Sequence, residues 1–188
     1  MVGHQSLRNK AGILYRDISK NNLLVSEEAD STWSGFLIDL DLAIMGKRLK
    51  ASGAPDKTGT KVFMAIGALR GEKHSFMHDL ESFFWVLFWI CIHYTGPKGA
   101  DRRTEYDKWN FFLNVNQLAF YKAGLIDHEN DFLIQMSKDV TEYFKPLIPW
   151  INRLRKIVFP NNSIWIVEDE ELYDRMRKAL QAWPVLTR

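Results

Sequence analysis

The chain has 188 residues, of which 46% are hydrophobic and 26% charged, with a net charge of +2. That is the makeup of an ordinary globular protein long enough for one real core. The charge balance leaves no nucleic-acid footprint. The single cysteine, Cys91, excludes an internal disulfide and a multi-cysteine zinc site.

Residues 1–12 read as the end of a helix or a loop. The first ten have no apolar core, so a signal peptide is not expected, and an intracellular protein, cytoplasmic or nuclear, is. Residues 23–25 and 36–40 read as two short strands, joined by the polar segment 26–32. Residues 46–60 form a loop rich in Gly, Ser, Lys and Pro. It carries Lys47, Arg48, Lys50 and Lys57 against Asp56, with Lys61 just beyond. Ser52 and Thr58 in it are candidate phosphate acceptors, although loop hydroxyls are more often simply solvated. Residues 78–94 read as a helix that is apolar nearly all round, hence buried. Its apolar run, 83–92, is far short of the ~18 residues a membrane span needs. Cys91 in that run reads as a buried structural thiol. Gly96-Pro97-Lys98-Gly99 ends the helix.

The rest reads as mostly helical. Phe132, Met136, Val140 and Phe144 recur every four residues and suggest one apolar stripe. Residues 153–156, Arg-Leu-Arg-Lys, read as a solvated basic helix face. Residues 168–183 open with Glu168-Asp169-Glu170-Glu171 and continue with Arg175, Arg177 and Lys178, an order that suits a helix dipole. Leu172, Met176 and Leu180 make its buried face. His74, His78 and His93 have no third partner at metal spacing, so zinc is not expected. Seven Trp and twelve Phe predict a thick aromatic core. No repeat or linker divides the chain.

Residues 13–25 read Ile-Leu-Tyr-Arg-Asp-Ile-Ser-Lys-Asn-Asn-Leu-Leu-Val, and 36–43 read Phe-Leu-Ile-Asp-Leu-Asp-Leu-Ala. Asp17 is followed five positions later by Asn22, and Asp39 lies on the next strand-like run. Phosphoryl transfer to a hydroxyl needs this set. One carboxylate orients the hydroxyl and accepts its proton. A side-chain amide and a second carboxylate hold magnesium on the phosphates.

These residues resemble the protein-kinase superfamily, in particular the C-terminal lobe of fungal-type protein kinases. The motifs fall in residues 10–95, and the resemblance extends more loosely over the helical remainder, 96–188. Tyr15-Arg16-Asp17 resembles the family's His-Arg-Asp. Asp39-Leu40-Asp41 resembles its Asp-Phe-Gly. Thr58-Gly59-Thr60 and Phe63-Met64-Ala65 resemble the end of its activation segment, and His78-Asp79-Leu80-Glu81 the start of its central helix. The resemblance implies Asp17 as catalytic base, Asn22 and Asp39 as ligands of Mg2+ and hence of ATP, and Arg16 as partner of a charge on the activation loop. Thr60 would hydrogen-bond near Asp17, and Asp79 would hold the backbone of the catalytic loop. The implied fold is mainly α (α+β): one kinase-like C-terminal lobe over residues 1–188, helical, with a short β-hairpin carrying the active site.

The chain departs from the family at several points. Ser19 stands where a phosphate-binding lysine is usual, and Lys20, one residue on, is the candidate substitute. Asp41 replaces a glycine and adds negative charge near the metal. Gly67 replaces a glutamate that ties the activation segment to the helical lobe, so that tether is expected to be missing. No Gly-rich loop, strand lysine or helix glutamate precedes Tyr15, so a small N-terminal lobe is expected to be absent. Because this catalysis is positioning and electrostatics, the chain by itself is expected to be weak or inactive. Full activity would need a small lobe from a longer product or a separate partner protein. The expected partner otherwise is a protein substrate phosphorylated on Ser or Thr, with no nucleic acid and no membrane. Two alternatives stand beside this one. The first is a non-catalytic pseudokinase that binds partners through its helices. The second is a small-molecule phosphotransferase of the aminoglycoside-kinase type, which shares the Asp-x-x-x-x-Asn loop.

Overall fold

A computed structural model describes residues 1–26, 35–45, 60–97 and 99–182. These residues are mainly helical, with two small antiparallel two-stranded sheets. Helix α1 (Val2–Ala11) ends on Gly12 at φ 65°, a left-handed stop that glycine adopts without Cβ strain. Strand β1 (Ile13–Leu14) pairs with β4 (Ile44–Met45). Strand β2 (Leu23–Val25) pairs with β3 (Gly35–Leu37), placing Leu23 opposite Leu37. Strand β3 stops at Leu37 rather than reaching residue 40. One more rung follows, from Ile38 N–H to the Asn22 carbonyl at 3.1 Å, and then Asp39 turns left-handed at φ 63°, which no strand accommodates.

After the one-turn α2 (Ile66–Leu69), helix α3 (Phe76–His93) forms the axis of the core. It starts earlier than apolar periodicity suggests, because Ser75 caps it. The Ser75 hydroxyl accepts from the Met77 N–H, and the His78 ring accepts from the Ser75 N–H at 3.0 Å. Tyr94 leaves the helix in extended conformation and bridges Asp101. Around α3 lie α4 (Val115–Asp127), α5 (Glu129–Asp139), α6 (Ile148–Val158) and α7 (Leu172–Gln181). Trp85 is fully buried, with ring centroids 5.0 Å from Phe84 and 5.8 Å from Phe88, Trp109 and Phe159. Most of these contacts are edge-to-face, the arrangement ring quadrupoles prefer. Cys91 is buried in the same core, and burial pushes its thiol up to about 12. No described helix is long and apolar enough to cross a membrane.

Three expectations for the helical remainder need correction. The stripe from Phe132 to Phe144 is not one helix. Phe132 and Met136 are buried on α5, but the helix ends at Asp139, and the Thr141 N–H donates to the Cys91 carbonyl at 3.0 Å. The acidic run 168–171 precedes α7 instead of opening it. Glu170 clasps Arg8, Glu168 accepts from the Ser75 hydroxyl at 2.5 Å, and Asp169 pairs with Arg175. The stretch 153–156 is not wholly solvated, since Arg155 is fully buried. Its guanidinium donates to the Ile126 carbonyl at 2.6 Å and to the Asn152 and Asn162 side chains. A lone arginine among exposed basic neighbours gives no sequence sign that carbonyls await it.

Candidate active site

The loop between β1 and β2 is built on one buried carboxylate. Asp79, in the first turn of α3, accepts the Tyr15 N–H on Oδ2 and the Arg16 N–H on Oδ1, each at 3.0 Å. Tyr15 is buried beneath the loop and its hydroxyl donates to the Ile38 carbonyl, which links the loop to the run ending in Asp39. Burial, with the nearby aspartates, pushes the Tyr15 phenol up to about 12. Arg16 is held at φ 71°, a left-handed conformation costing a non-glycine residue about 1–2 kcal/mol. The hydrogen bond from its own N–H to Asp79 opposes that strain. Arg16 Nε is buried with no hydrogen-bond partner among the described residues.

Asp17 comes next. Its Oδ2 accepts from Asn22 Nδ2 at 2.9 Å, and the same amide nitrogen donates to the Asp17 carbonyl at 3.0 Å. Its Oδ1 accepts from the Thr60 N–H at 2.9 Å and the Thr60 hydroxyl at 3.3 Å. Thus Asp17, Asn22 and Thr60 form one cluster, with both Asp17 oxygens oriented. A one-turn 3-10 helix (Lys20–Asn22) brings the Asn22 side chain back onto Asp17. Asp39 follows the last rung beside Asn22, and its Oδ1 accepts from the Asp41 N–H at 3.1 Å. Lys20 turns to the end of α3, where Nζ donates to the Tyr94 hydroxyl at 2.7 Å. Ser52, Asp56 and Thr58 lie outside the described residues.

A metal has a limited set of donors here. Among the described residues no group of three or more His, Cys, Asp or Glu could hold one. The three histidines considered for zinc do not form a site together: His74 bonds Asp79, while His93 bonds Asp107 and Thr104. Asn22 donates to Asp17 with its nitrogen, which leaves its oxygen for a cation, and Asp39, one residue beyond the rung between Ile38 and Asn22, has a carboxylate. Two oxygen ligands fit magnesium, which keeps several waters and completes its shell with phosphate oxygens.

The segment after Thr60 is fastened from α3 and α4, with glycine at position 67. The Ile66 N–H donates to Glu81 Oε1 at 2.7 Å, and Lys122 Nζ donates to the Met64 carbonyl at 2.6 Å. Both side chains are buried, and Trp85 Nε1 also donates to Glu81 at 2.9 Å. Burial pushes the Glu81 carboxyl up to about 7 and lowers the Lys122 amine well below its usual range. At Gly67 itself a Cβ would meet Glu72 Oε2 at 2.3 Å and His78 Nε2 at 2.5 Å. The glycine is what lets these side chains pack there. His4 and Lys122 escaped the sequence reading, and Glu81 and His74 were named in it without these roles. His74 lay five residues before Asp79 as the only local sign, whereas His4 and Lys122 reach the site through tertiary packing alone.

A family model described as fungal protein kinase matches residues 1–91. That stretch contains the Asp17 loop, the Asp39 run, Thr60 and most of α3, and over it the chain is similar to the fungal protein kinases. No curated protein matches the chain.

Proposed function

We propose that the chain is the C-terminal catalytic lobe of a fungal-type protein kinase, a single kinase-like unit over residues 1–188. It would transfer the γ-phosphoryl group of ATP, with Mg2+, to Ser or Thr hydroxyls of a protein substrate inside the cell. One observation carries this reading: Asp17 has both carboxylate oxygens oriented, by Asn22 on one side and Thr60 on the other, on a loop fixed to buried Asp79.

In this role Asp17 accepts the proton of the attacking hydroxyl, and Thr60 keeps the carboxylate facing that hydroxyl. Asn22 and Asp39 would hold magnesium against the nucleotide phosphates, where it neutralises their charge. Lys20, by analogy with the family's lysine, would approach the transferred phosphoryl group after leaving Tyr94. Arg16, whose Nε has no described partner, would pair with a charge on the segment before Thr60. Nucleotide affinity would come largely from a small lobe supplied by a longer product or a partner protein.

The test is magnesium-dependent ATP binding, followed by phosphoryl transfer to a Ser/Thr peptide library with a small lobe supplied. Binding that requires Mg2+ and disappears in Asp39→Ala supports the metal site. Transfer that disappears in Asp17→Asn supports the base. Tight partner binding with neither activity would identify a non-catalytic module, and transfer to aminoglycosides alone would identify a small-molecule enzyme.

A further inference from the structure

Three segments of the chain, at His4, at Tyr15 and Arg16, and at His74, meet at Asp79. Its side chain is 1% exposed, and a buried carboxylate is stable only where partners offset its charge and fill its lone pairs. The Tyr15 and Arg16 amides supply half of those partners. The other half are imidazoles: His4 Nε2 on Oδ2 and His74 Nε2 on Oδ1, each at 2.8 Å. Each carboxylate oxygen therefore carries one amide and one imidazole, and rotating the group would break all of these bonds together.

His4 belongs to α1 and is fully buried. Its Nδ1 lies 2.7 Å from the Tyr173 hydroxyl on α7. When that hydroxyl donates to Nδ1, the neutral ring carries its proton on Nε2, the atom facing Asp79. Tyr173 is itself fixed, stacked on Phe76 with centroids 5.6 Å apart and planes 8° from parallel. Arg8, one turn beyond His4, locks α1 to the same region. It pairs with both oxygens of Glu170 at 2.5 Å and lies 3.7 Å over the Phe76 ring.

We infer that His4, His74 and Tyr173 are positioning residues for Asp17: they fix the Asp79 carboxylate, which holds the Tyr15 and Arg16 amides and so the left-handed turn that presents Asp17 to Asn22 and Thr60. The inference deepens the proposed kinase role of Asp17 and rests on it for its catalytic consequence. It makes α7, which lies outside the family-matched residues 1–91, part of the active-site apparatus. Without the imidazoles Asp79 loses half its partners, and Arg16 is free to leave its strained conformation.

The experiment is amide hydrogen exchange of Tyr15 and Arg16, followed by NMR on the whole chain. Tyr173→Phe and His74→Gln are compared with Tyr106→Phe, which removes a hydroxyl-to-carboxylate bond to Asp139 elsewhere in the fold. Tyr173→Phe keeps the ring and removes one oxygen, so the fold is retained. Exchange of the two loop amides should rise roughly tenfold more in the first two variants than in Tyr106→Phe, the scale of one hydrogen bond in a charged network. Protection along α3 should stay unchanged. Equal responses in Tyr173→Phe and Tyr106→Phe, or uniform loss along α3, would overturn the inference. In the phosphoryl-transfer assay the same variants should lower kcat and leave the nucleotide KM unchanged. Intact kcat with a raised KM would also overturn it. If the loop amides respond as stated but the unaltered protein transfers no phosphate with a small lobe supplied, the positioning network stands and the kinase proposal fails.

Discussion

Between β1 and β4 the chain exposes much of its apolar surface, with Val25 78%, Met45 56% and Phe36 47% accessible. Helix α3, by contrast, fully buries every side chain except the half-buried Phe83, Leu87 and Ile90. The candidate site residues Asp17, Asn22 and Asp39 sit in the first region, which has two- and three-residue strands and little packing of its own. That region keeps its geometry through hydrogen bonds to the second, chiefly to Asp79. A loop with few apolar contacts can still be well positioned when its backbone amides end on a carboxylate fixed in a rigid helix.

The sharpest way to separate the two regions is a pair of substitutions with opposite effects. Trp85→Ala should cost about 3–5 kcal/mol of stability by opening a cavity among packed rings, measured by denaturant unfolding. Asp17→Asn should leave the unfolding midpoint nearly unchanged while lowering kcat by about 10^2–10^4-fold, the usual contribution of a general base. If Asp17→Asn unfolds the protein instead, the loop is structural and the division collapses.

Asp79 joins the regions, so its loss should register in both. Asp79→Ala should destabilise by about 3 kcal/mol, as removing one partner from a buried charged network does. Burial opposes its charge, but the electrostatic attraction and hydrogen bonds of the His74 and His4 rings outweigh that, so its pKa lies below the usual carboxylate range. A lowered folded pKa means the stabilisation is present above the unfolded value near 4 and is lost as pH falls below it. The unaltered protein should therefore lose stability from about pH 4 downward, and the variant should lose less over that range. Parallel acid-unfolding curves would remove Asp79 from its central place.

Glu81 gives the opposite sign. Burial first, only partly countered by Trp85 and the Ile66 amide, raises its carboxyl to about 7, so the folded chain keeps a proton that the unfolded chain releases near pH 4.3. Its contribution to stability should fall as pH rises from about 4.3 toward 7. Glu81→Gln should flatten that slope while still accepting from Ile66 and Trp85. Unfolding midpoints of both proteins at the two ends of the window check it. The smallest effect is expected at the ribbon surface. Phe36→Ala, opposite Leu24, should cost less than about 1 kcal/mol in denaturant unfolding. A larger loss would mean that the ribbon packs more firmly than its exposure indicates.

Much of the local structure was written in the chain. Short-range patterns located strand β2, the body of α3 and the aromatic core, because alternation and unbroken apolar runs constrain backbone period and burial directly. The Asp17, Asn22 and Asp39 spacing marked a candidate site, since its members lie on one short stretch of chain, and the structure joins Asn22 to Asp17 by a hydrogen bond. Patterns failed where the backbone was redirected by a single residue, as at Asp39, whose left-handed turn ends β3, and at Asp139, where α5 stops and divides the apolar stripe.

The partners of buried charge were decided only by the tertiary structure. Arg155 among exposed basic neighbours, Lys122 on the Met64 carbonyl, and His4 between Tyr173 and Asp79 carry no local signature. Each is set by which carbonyl or carboxylate packing brings within hydrogen-bonding distance, and burial then makes the pairing obligatory. The sequence by itself determined which residues make up the candidate site. Packing of α1, α3 and α7 determined what holds them in place, because a hydrogen bond between residues far apart in sequence exists only once the chain has closed around it.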